Sequence, residues 1–276
     1  RNGLIAYGSS FDQIGVFSKT VQDANIFISI MSGNDNFDST VSSRPANNKT
    51  IKISNKKFNI GIPEEYLNFE KLDVEVSTKI KSLIDELENK GHKIEYLKFP
   101  FLKYLVPTYY VLTTAEASSN LARYDGAHFG YRTKDVKDIN STYEKSRSEG
   151  FGIEVKRRIM LGNFVLSSGY YDAYFTKAQK VRRLIKEKTE QMLKRNHVLL
   201  LPTTPTTAFN IGEIKDPISM YLQDIFTVHA NIAGVPAISL PLGKHSNSLP
   251  FGIQLMAGRF EEEILFEISS LLMPKI

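Results

Sequence analysis

A run of four apolar residues, Val198-Leu199-Leu200-Leu201, ends at Pro202 and constrains the fold more than any other feature of the chain. Successive side chains of a strand point to opposite faces of its sheet, so a strand that is apolar at every position must be buried on both faces. Strands of this kind are typical of α/β proteins, in which helices cover both faces of the sheet. The run therefore predicts an α/β fold in which helices cover both faces of a sheet.

Strand and helix signals alternate before this run. A short strand at Lys57–Ile62 closes at Pro63, an apolar helical stripe from Val76 to Leu87 ends at Gly91, and a strand at Lys93–Phe99 stops before Pro100. This order predicts a βαβ unit and a partly parallel sheet. Further helices are predicted at 20–33, 109–123, 155–168, 170–195 and 261–272, further strands at 238–240 and 252–256, and a surface loop at 34–56. No repeat or linker divides the sequence, so we expect residues 1–276 to be one domain or part of one.

The composition excludes several kinds of site. The chain has no cysteine, which rules out disulfides, thiol nucleophiles and cysteine metal ligands. Its five histidines are dispersed without metal-ligand spacing, and no phosphate-binding glycine loop or G-x-S-x-G motif occurs. No apolar run approaches the ~20 residues that span a bilayer. A net charge of +5 fits either a polyanionic partner such as tRNA or an ordinary solvated surface.

Two segments near the predicted strands could form ligand-binding or structural turns. Pro202–Phe209 follows the buried strand and carries four threonines, so it is either a binding loop at the carboxyl end of a strand or a rigid turn. Asn231–Pro241 is interpreted as a tight structural turn that leads into a strand. His229, among small residues, is expected to be a hydrogen-bonded structural group rather than a base.

Several blocks of the sequence resemble, in order, the amidase-signature family. These blocks are Ser9–Gly15, Pro202–Phe209 and Asn231–Pro241. Three longer blocks are more specific, and are similar to the glutaminase chains of tRNA-dependent glutamyl/aspartyl amidotransferases: Ala115–Gly126, Ser146–Arg158 and Leu166–Tyr174. The resemblance extends from Arg1 to about Leu272.

This resemblance implies the amidase-signature fold, an α/β fold in which helices cover both faces of a mixed, largely parallel sheet. The chain would be the C-terminal portion of that fold. Family members of this kind, the A subunits of the amidotransferases, hydrolyse glutamine with a Lys–Ser–Ser triad. The triad would precede Arg1, so no catalytic residue is expected in this chain. Ammonia would pass to a B subunit that uses ATP and Mg²⁺ to amidate mischarged tRNA, and a small C subunit would clamp the other two together. No cofactor or metal is expected in the chain itself, and the bacterial cytoplasm or an organelle matrix is the expected compartment.

The resemblance also implies a glutamine-binding set, which aligns with Tyr109, Arg158 and Asp224. Asp224 is expected in a helix that follows the loop at Pro202–Phe209. The residue types suit the ligand, because a guanidinium binds an α-carboxylate with two hydrogen bonds and a carboxylate pairs with an α-ammonium. Tyr110 and Arg157 are the neighbours that could take these places instead.

Two other functions remain open from the sequence. The first is a free-standing amidase of the same family that acts on another amide, since one fold supports many reactions. The second is a non-catalytic remnant that lacks the triad.

Overall fold

The computed structural model describes residues 3–44, 51 and 56–273, which form two compact units. Residues 13–44, 51, 56–106 and 183–273 belong to the first unit, and residues 3–12 and 107–182 to the second. The predicted surface loop at 34–56 lies partly outside the described residues. The interpretation of the chain as part of one domain stays a prediction, because compact units also occur within single domains.

The first unit contains a five-stranded mixed sheet. Its strands are β1 (Asn59–Pro63), β2 (Lys93–Leu97), β3 (Val198–Pro202), β4 (Ala237–Lys244) and β5 (Pro250–Ala257). The strand order is β2-β1-β3-β5-β4, in which β1 pairs in parallel with β2 and β3, and β5 pairs antiparallel with β3 and β4. The predicted βαβ unit and the mixed α/β sheet are confirmed. The prediction that β1 would stop before Pro63 is wrong, because Pro63 forms its last residue.

Burial in this unit follows the apolar pattern of the sequence. Every residue of the run at Val198–Leu201 is exposed by 1% or less, as its composition predicts. The helices of the unit are α1 (Val21–Met31), α2 (Glu64–Leu67), α3 (Val74–Asn89), α8 (Pro217–Tyr221), α9 (Val228–Ala233) and α10 (Glu262–Leu272). Asp73 caps the N-terminus of α3, where its side chain accepts hydrogen bonds from the backbone N–H groups of Glu75 and Val76.

The second unit is helical. It contains most of α4 (Leu102–Asn120), then α5 (Ile139–Gly150), α6 (Ile153–Leu166), a π-helical turn at Asp172–Thr176, and the start of α7 (Lys177–Arg195). The helix predicted from Tyr109 begins seven residues earlier, with Pro107 inside it. The α5 helix was not predicted because its residues form no apolar stripe, although a capping box between Asp138 and Ser141 marks its start. Within the described part of the chain, no helix has the length and apolarity needed to cross a membrane.

A glycine lets α6 pack closely against α4. A Cβ atom added to Gly162 would lie 2.1 Å from the backbone oxygen of Thr114 and 2.7 Å from Cβ of Ser118. No side chain larger than hydrogen fits there without moving a backbone. This contact holds the neighbouring turns of α6 close to α4.

We expect Gly162→Ala to destabilise the protein by about 1–3 kcal/mol, because overpacking at a backbone contact exceeds the helix-propensity gain of about 1 kcal/mol. Urea unfolding would measure the change. Gly169→Ala is a matched control, since an added Cβ there has no atom within 4 Å. Equal stability of the Gly162→Ala variant and the wild type would contradict this account of the packing.

Candidate functional site

The segment at residues 7–12 is a tight turn that bonds to itself. The backbone N–H groups of Phe11 and Asp12 donate to the carbonyl of Gly8 at 2.8 and 2.7 Å. In return, the Asp12 carboxylate accepts from the N–H groups of Tyr7 and Gly8 at 2.9 and 3.0 Å. The turn therefore has a fixed backbone shape, in which Tyr7 stands at its first position.

Side chains from α4 and α7 hold this turn within the second unit. Asn120 donates to the carbonyl of Tyr7 at 2.9 Å and to the Ser9 hydroxyl at 3.0 Å. The Glu116 carboxylate accepts from the N–H and the hydroxyl of Ser10. Arg182 donates to the Ser10 hydroxyl and carbonyl at 2.7 and 2.9 Å. The block Ser9–Gly15, singled out in the sequence, thus begins with a segment anchored to two helices.

Arg158 on α6 reaches back to this turn. Its Nη1 donates to the Tyr7 hydroxyl at 2.8 Å, and its Nε donates to the Glu154 carboxylate, one helical turn earlier, at 2.9 Å. The guanidinium carbon lies 5.3 Å from the ring centroid of Tyr7 and 5.5 Å from that of Tyr110. These distances are within the range of cation–π attraction.

The surroundings keep Arg158 charged. Burial alone would lower the pKa of the guanidinium, but the hydrogen bond to Glu154 and the interactions with Tyr7 raise it above the usual range. Its side chain is 27% exposed, so solvent and small solutes can reach it. Within the described residues, Nη2 and the second Nη1 proton have no hydrogen-bond partner, which leaves the paired donors that a carboxylate requires.

The other two members of the predicted glutamine-binding set lie in different units. Tyr109 is in the second unit with Arg158, and its ring packs edge-on against Phe11 and Tyr110 at centroid distances of 5.5 and 5.4 Å. Asp224 is in the first unit, in a 3₁₀ turn at Leu222–Asp224 rather than in the regular helix that was predicted. That Asp224 joins Tyr109 and Arg158 in one site stays a prediction.

Tyr110 and Arg157, the alternatives to Tyr109 and Arg158 in the predicted glutamine-binding set, differ from them in their surroundings. Tyr110 is buried, and its ring lies 5.5 Å from the Arg158 guanidinium carbon. Arg157 is more exposed than Arg158, at 52% of its side chain, and shares the Glu154 carboxylate with it. Sequence reasoning missed Tyr7 and Glu154. The i, i+4 spacing of Glu154 and Arg158 could have indicated their pairing.

The threonine loop of the first unit is held by hydrogen bonds within itself and to neighbouring segments. Thr204 donates to the carbonyl of Thr206 at 2.8 Å, and Thr206 lies 3.2 Å from the Gln223 side chain, next to Asp224. The carbonyl of Pro205 accepts from the N–H of Asp73 at 2.9 Å. These bonds favour the structural interpretation of the loop and attach it to the turn that carries Asp224.

His229 is a structural group of the first unit, as predicted. It is fully buried, with Nδ1 2.6 Å from the Tyr66 hydroxyl and Nε2 2.7 Å from the Thr189 hydroxyl. Burial lowers the pKa of the imidazole to about 3, so it is neutral at physiological pH. Among residues 3–44, 51 and 56–273, no group of three or more His, Asp or Glu side chains could hold a metal ion.

The sequence of the chain is similar to those of known proteins. The chain matches the sequence model of the family described as Amidase over residues 1–266. It is 50% identical, over its whole length, to the A subunit of the glutamyl-tRNA(Gln) amidotransferase from Fusobacterium nucleatum, of which it covers 57%. The corresponding protein of Halothermothrix orenii is 50% identical over 95% of the chain, which covers 55% of that protein. The chain thus spans about half the length of the curated relatives it matches.

Solved structures show the same relationship. The A subunit of the glutamyl-tRNA(Gln) amidotransferase from Thermotoga maritima aligns with a TM-score of 0.76 and 43% identity, over 97% of this chain and 53% of that one. A peptide amidase from Stenotrophomonas maltophilia aligns with a TM-score of 0.69 and 19% identity, over 98% of this chain and 54% of that one. This second likeness concerns the fold alone.

Proposed function

The chain belongs to the amidase family, and from that premise we propose that it is part of the glutaminase subunit of a tRNA-dependent amidotransferase. The observation that carries the proposal is 50% identity, over the whole chain, to a protein named as the A subunit of such an enzyme. In this function the protein hydrolyses glutamine, and the ammonia converts Glu-tRNA(Gln), Asp-tRNA(Asn) or both to the amidated aminoacyl-tRNA.

The identities also bear on the alternative of a free-standing amidase. Structures named as amidase and peptide amidase are 20% and 19% identical to the chain, against 43% for the Thermotoga maritima protein. The difference favours the amidotransferase over an amidase that works alone. A non-catalytic remnant is the third candidate, and only activity measurements separate it from the other two.

The geometry of the second unit supports glutamine as the substrate. Within the described residues, Arg158 keeps donors on Nη1 and Nη2 that have no partner, and a charged, solvent-accessible guanidinium of this kind suits the α-carboxylate of an amino acid. We assign the recognition of the α-carboxylate to Arg158 with Tyr109, and that of the α-ammonium to Asp224. We assign no bond-breaking residue of the proposed Lys–Ser–Ser triad to this chain.

The proposed partners follow from the same assignment. Ammonia passes to a B subunit that uses ATP and Mg²⁺ to activate the mischarged tRNA, and a C subunit joins the other two in a heterotrimer. We assign no cofactor to this chain and place the complex in the bacterial cytoplasm.

The proposal is tested on the native complex purified from its source. Amidation of Glu-tRNA(Gln) and Asp-tRNA(Asn) is measured with ATP and either glutamine or ammonium chloride as the nitrogen donor. Activity with both donors and two co-purifying partner chains are the expected result. Hydrolysis of simple amides without partners would instead identify a free-standing amidase, and a partnerless protein inactive on every amide would identify a remnant.

A further inference from the structure

We propose that Tyr7 is a positioning residue for Arg158, which aims the guanidinium at the carboxylate of the amide substrate. The proposal rests on the proposed function, because it assigns a role within the same glutamine site. Tyr7 lies 151 positions before Arg158 in the sequence, so no motif spacing connects the two residues.

The first step is the geometry of the guanidinium. Arg158 is held at two separate nitrogens, with Nε bonded to Glu154 and Nη1 bonded to the Tyr7 hydroxyl. One hydrogen bond would allow the planar group to rotate about it, whereas two bonds to different nitrogens fix its orientation. The Tyr7 and Tyr110 rings, both within 5.5 Å of the guanidinium carbon, limit its movement further.

The second step is the rigidity of Tyr7 itself. Its N–H donates to Asp12, its carbonyl accepts from Asn120, and its hydroxyl lies 3.4 Å from Thr113 on α4. Each end of the residue is therefore tied to the turn or to the helix beside it. A hydroxyl held in this way can fix the orientation of the Arg158 guanidinium, whereas the hydroxyl of a mobile side chain could not.

The third step is the charge balance. Glu154 accepts hydrogen bonds from both Arg157 and Arg158, so these three side chains carry a net charge of +1. The second anchor of Arg158 is a neutral phenol, which holds the guanidinium without neutralising it. A second carboxylate at the Tyr7 position would cancel the charge that attracts the substrate carboxylate.

The test compares glutamine with 4-aminobutanamide, the same amide without its α-carboxylate, in the complete native enzyme complex. Tyr7→Phe removes the hydroxyl and keeps the ring. We expect kcat/KM for glutamine to fall about tenfold through KM, as loss of one hydrogen bond to a charged group implies, with 4-aminobutanamide hydrolysis unchanged. Tyr170→Phe is the matched control, because it removes a tyrosine hydroxyl from an exposed position in the same unit.

A double-mutant cycle separates the two proposals. If Tyr7 acts through Arg158, then Tyr7→Phe has no further effect on glutamine KM in an Arg158→Ala background. Equal losses on both substrates, additive effects in the cycle, or no change in glutamine KM would overturn the role of Tyr7. An Arg158→Ala variant with normal glutamine KM would instead overturn the proposed glutamine site. If Tyr7→Phe is poorly soluble, Asn120→Ala takes its place, because it removes the hydrogen bond to the Tyr7 carbonyl. This variant must raise KM for glutamine and leave KM for 4-aminobutanamide unchanged.

Discussion

Replacing Arg158 by alanine is expected to raise the KM of the proposed glutaminase for glutamine by about 30- to 150-fold. The variant removes the guanidinium that pairs with the substrate carboxylate, and truncation of such a charged pair costs roughly 2–5 kcal/mol. The lower part of this range applies because the side chain is 27% exposed and solvent screens the pair. Amidation of tRNA with ammonium chloride as the donor should remain near the wild-type rate. Steady-state kinetics with each donor measure both effects.

The neighbouring arginine provides the matched control. Arg157 lies on the same helix and bonds the same Glu154 carboxylate, but its side chain is more exposed. Arg157→Ala should therefore leave glutamine KM within about twofold of wild type, as is usual for a surface substitution. A larger effect in Arg157→Ala than in Arg158→Ala would transfer the assignment to Arg157.

Lowering the pH from 7 to 5 is expected to reduce the free energy of unfolding by about 2 kcal/mol through His229 alone. Its pKa is about 3 in the folded protein, below the ordinary value of 6.5, because burial disfavours the imidazolium. The unfolded chain therefore binds the extra proton between pH 6.5 and 3. Stability from this residue is complete above pH 6.5 and is lost as the pH falls through that window. Urea unfolding at pH 7, 6 and 5 measures the slope.

A substitution isolates this contribution from those of other titrating groups. In the wild type, the Tyr66 and Thr189 hydroxyls contact the two ring nitrogens of His229. His229→Gln removes the imidazole and keeps a polar side chain near these hydroxyls. The variant should be less stable at pH 7 and should show a smaller loss between pH 7 and 5. The prediction fails if wild type and variant lose the same stability over this range.

The sheet of the first unit could be predicted because its signals are local. Val198–Leu201 is apolar at every position, and α3 has buried residues at helical spacing. In each element, the pattern of apolar residues therefore predicts which faces are buried. The α5 helix shows no such stripe, because only Thr142 and Ser146 are buried along it. Pro107 did not end α4, which shows that the packing of a long helix can outweigh one missing N–H donor.

The candidate site was less accessible to sequence reasoning. Arg158 was identified through resemblance, and its pairing with Glu154 is readable from helical periodicity. Tyr7 was missed because the partners of its hydroxyl lie on α4 and α6, more than 100 residues away in the chain. Only the tertiary structure brings such residues together, so no local pattern records their contact.

The docking of residues 7–12 onto α4 has a consequence for the order of folding. The contact between Ser10 and Glu116 closes a loop of 106 residues, whereas α4, α5 and α6 are successive α-helices separated by shorter connections. Contacts between distant parts of a chain form more slowly, because the entropy of loop closure opposes them. The helices of the second unit should therefore assemble early, with the turn at residues 7–12 joining them late. The ribosome would have to release Glu116 and the helices that follow it before Tyr7 could bind there. The Arg158 guanidinium is therefore oriented only after these helices have formed.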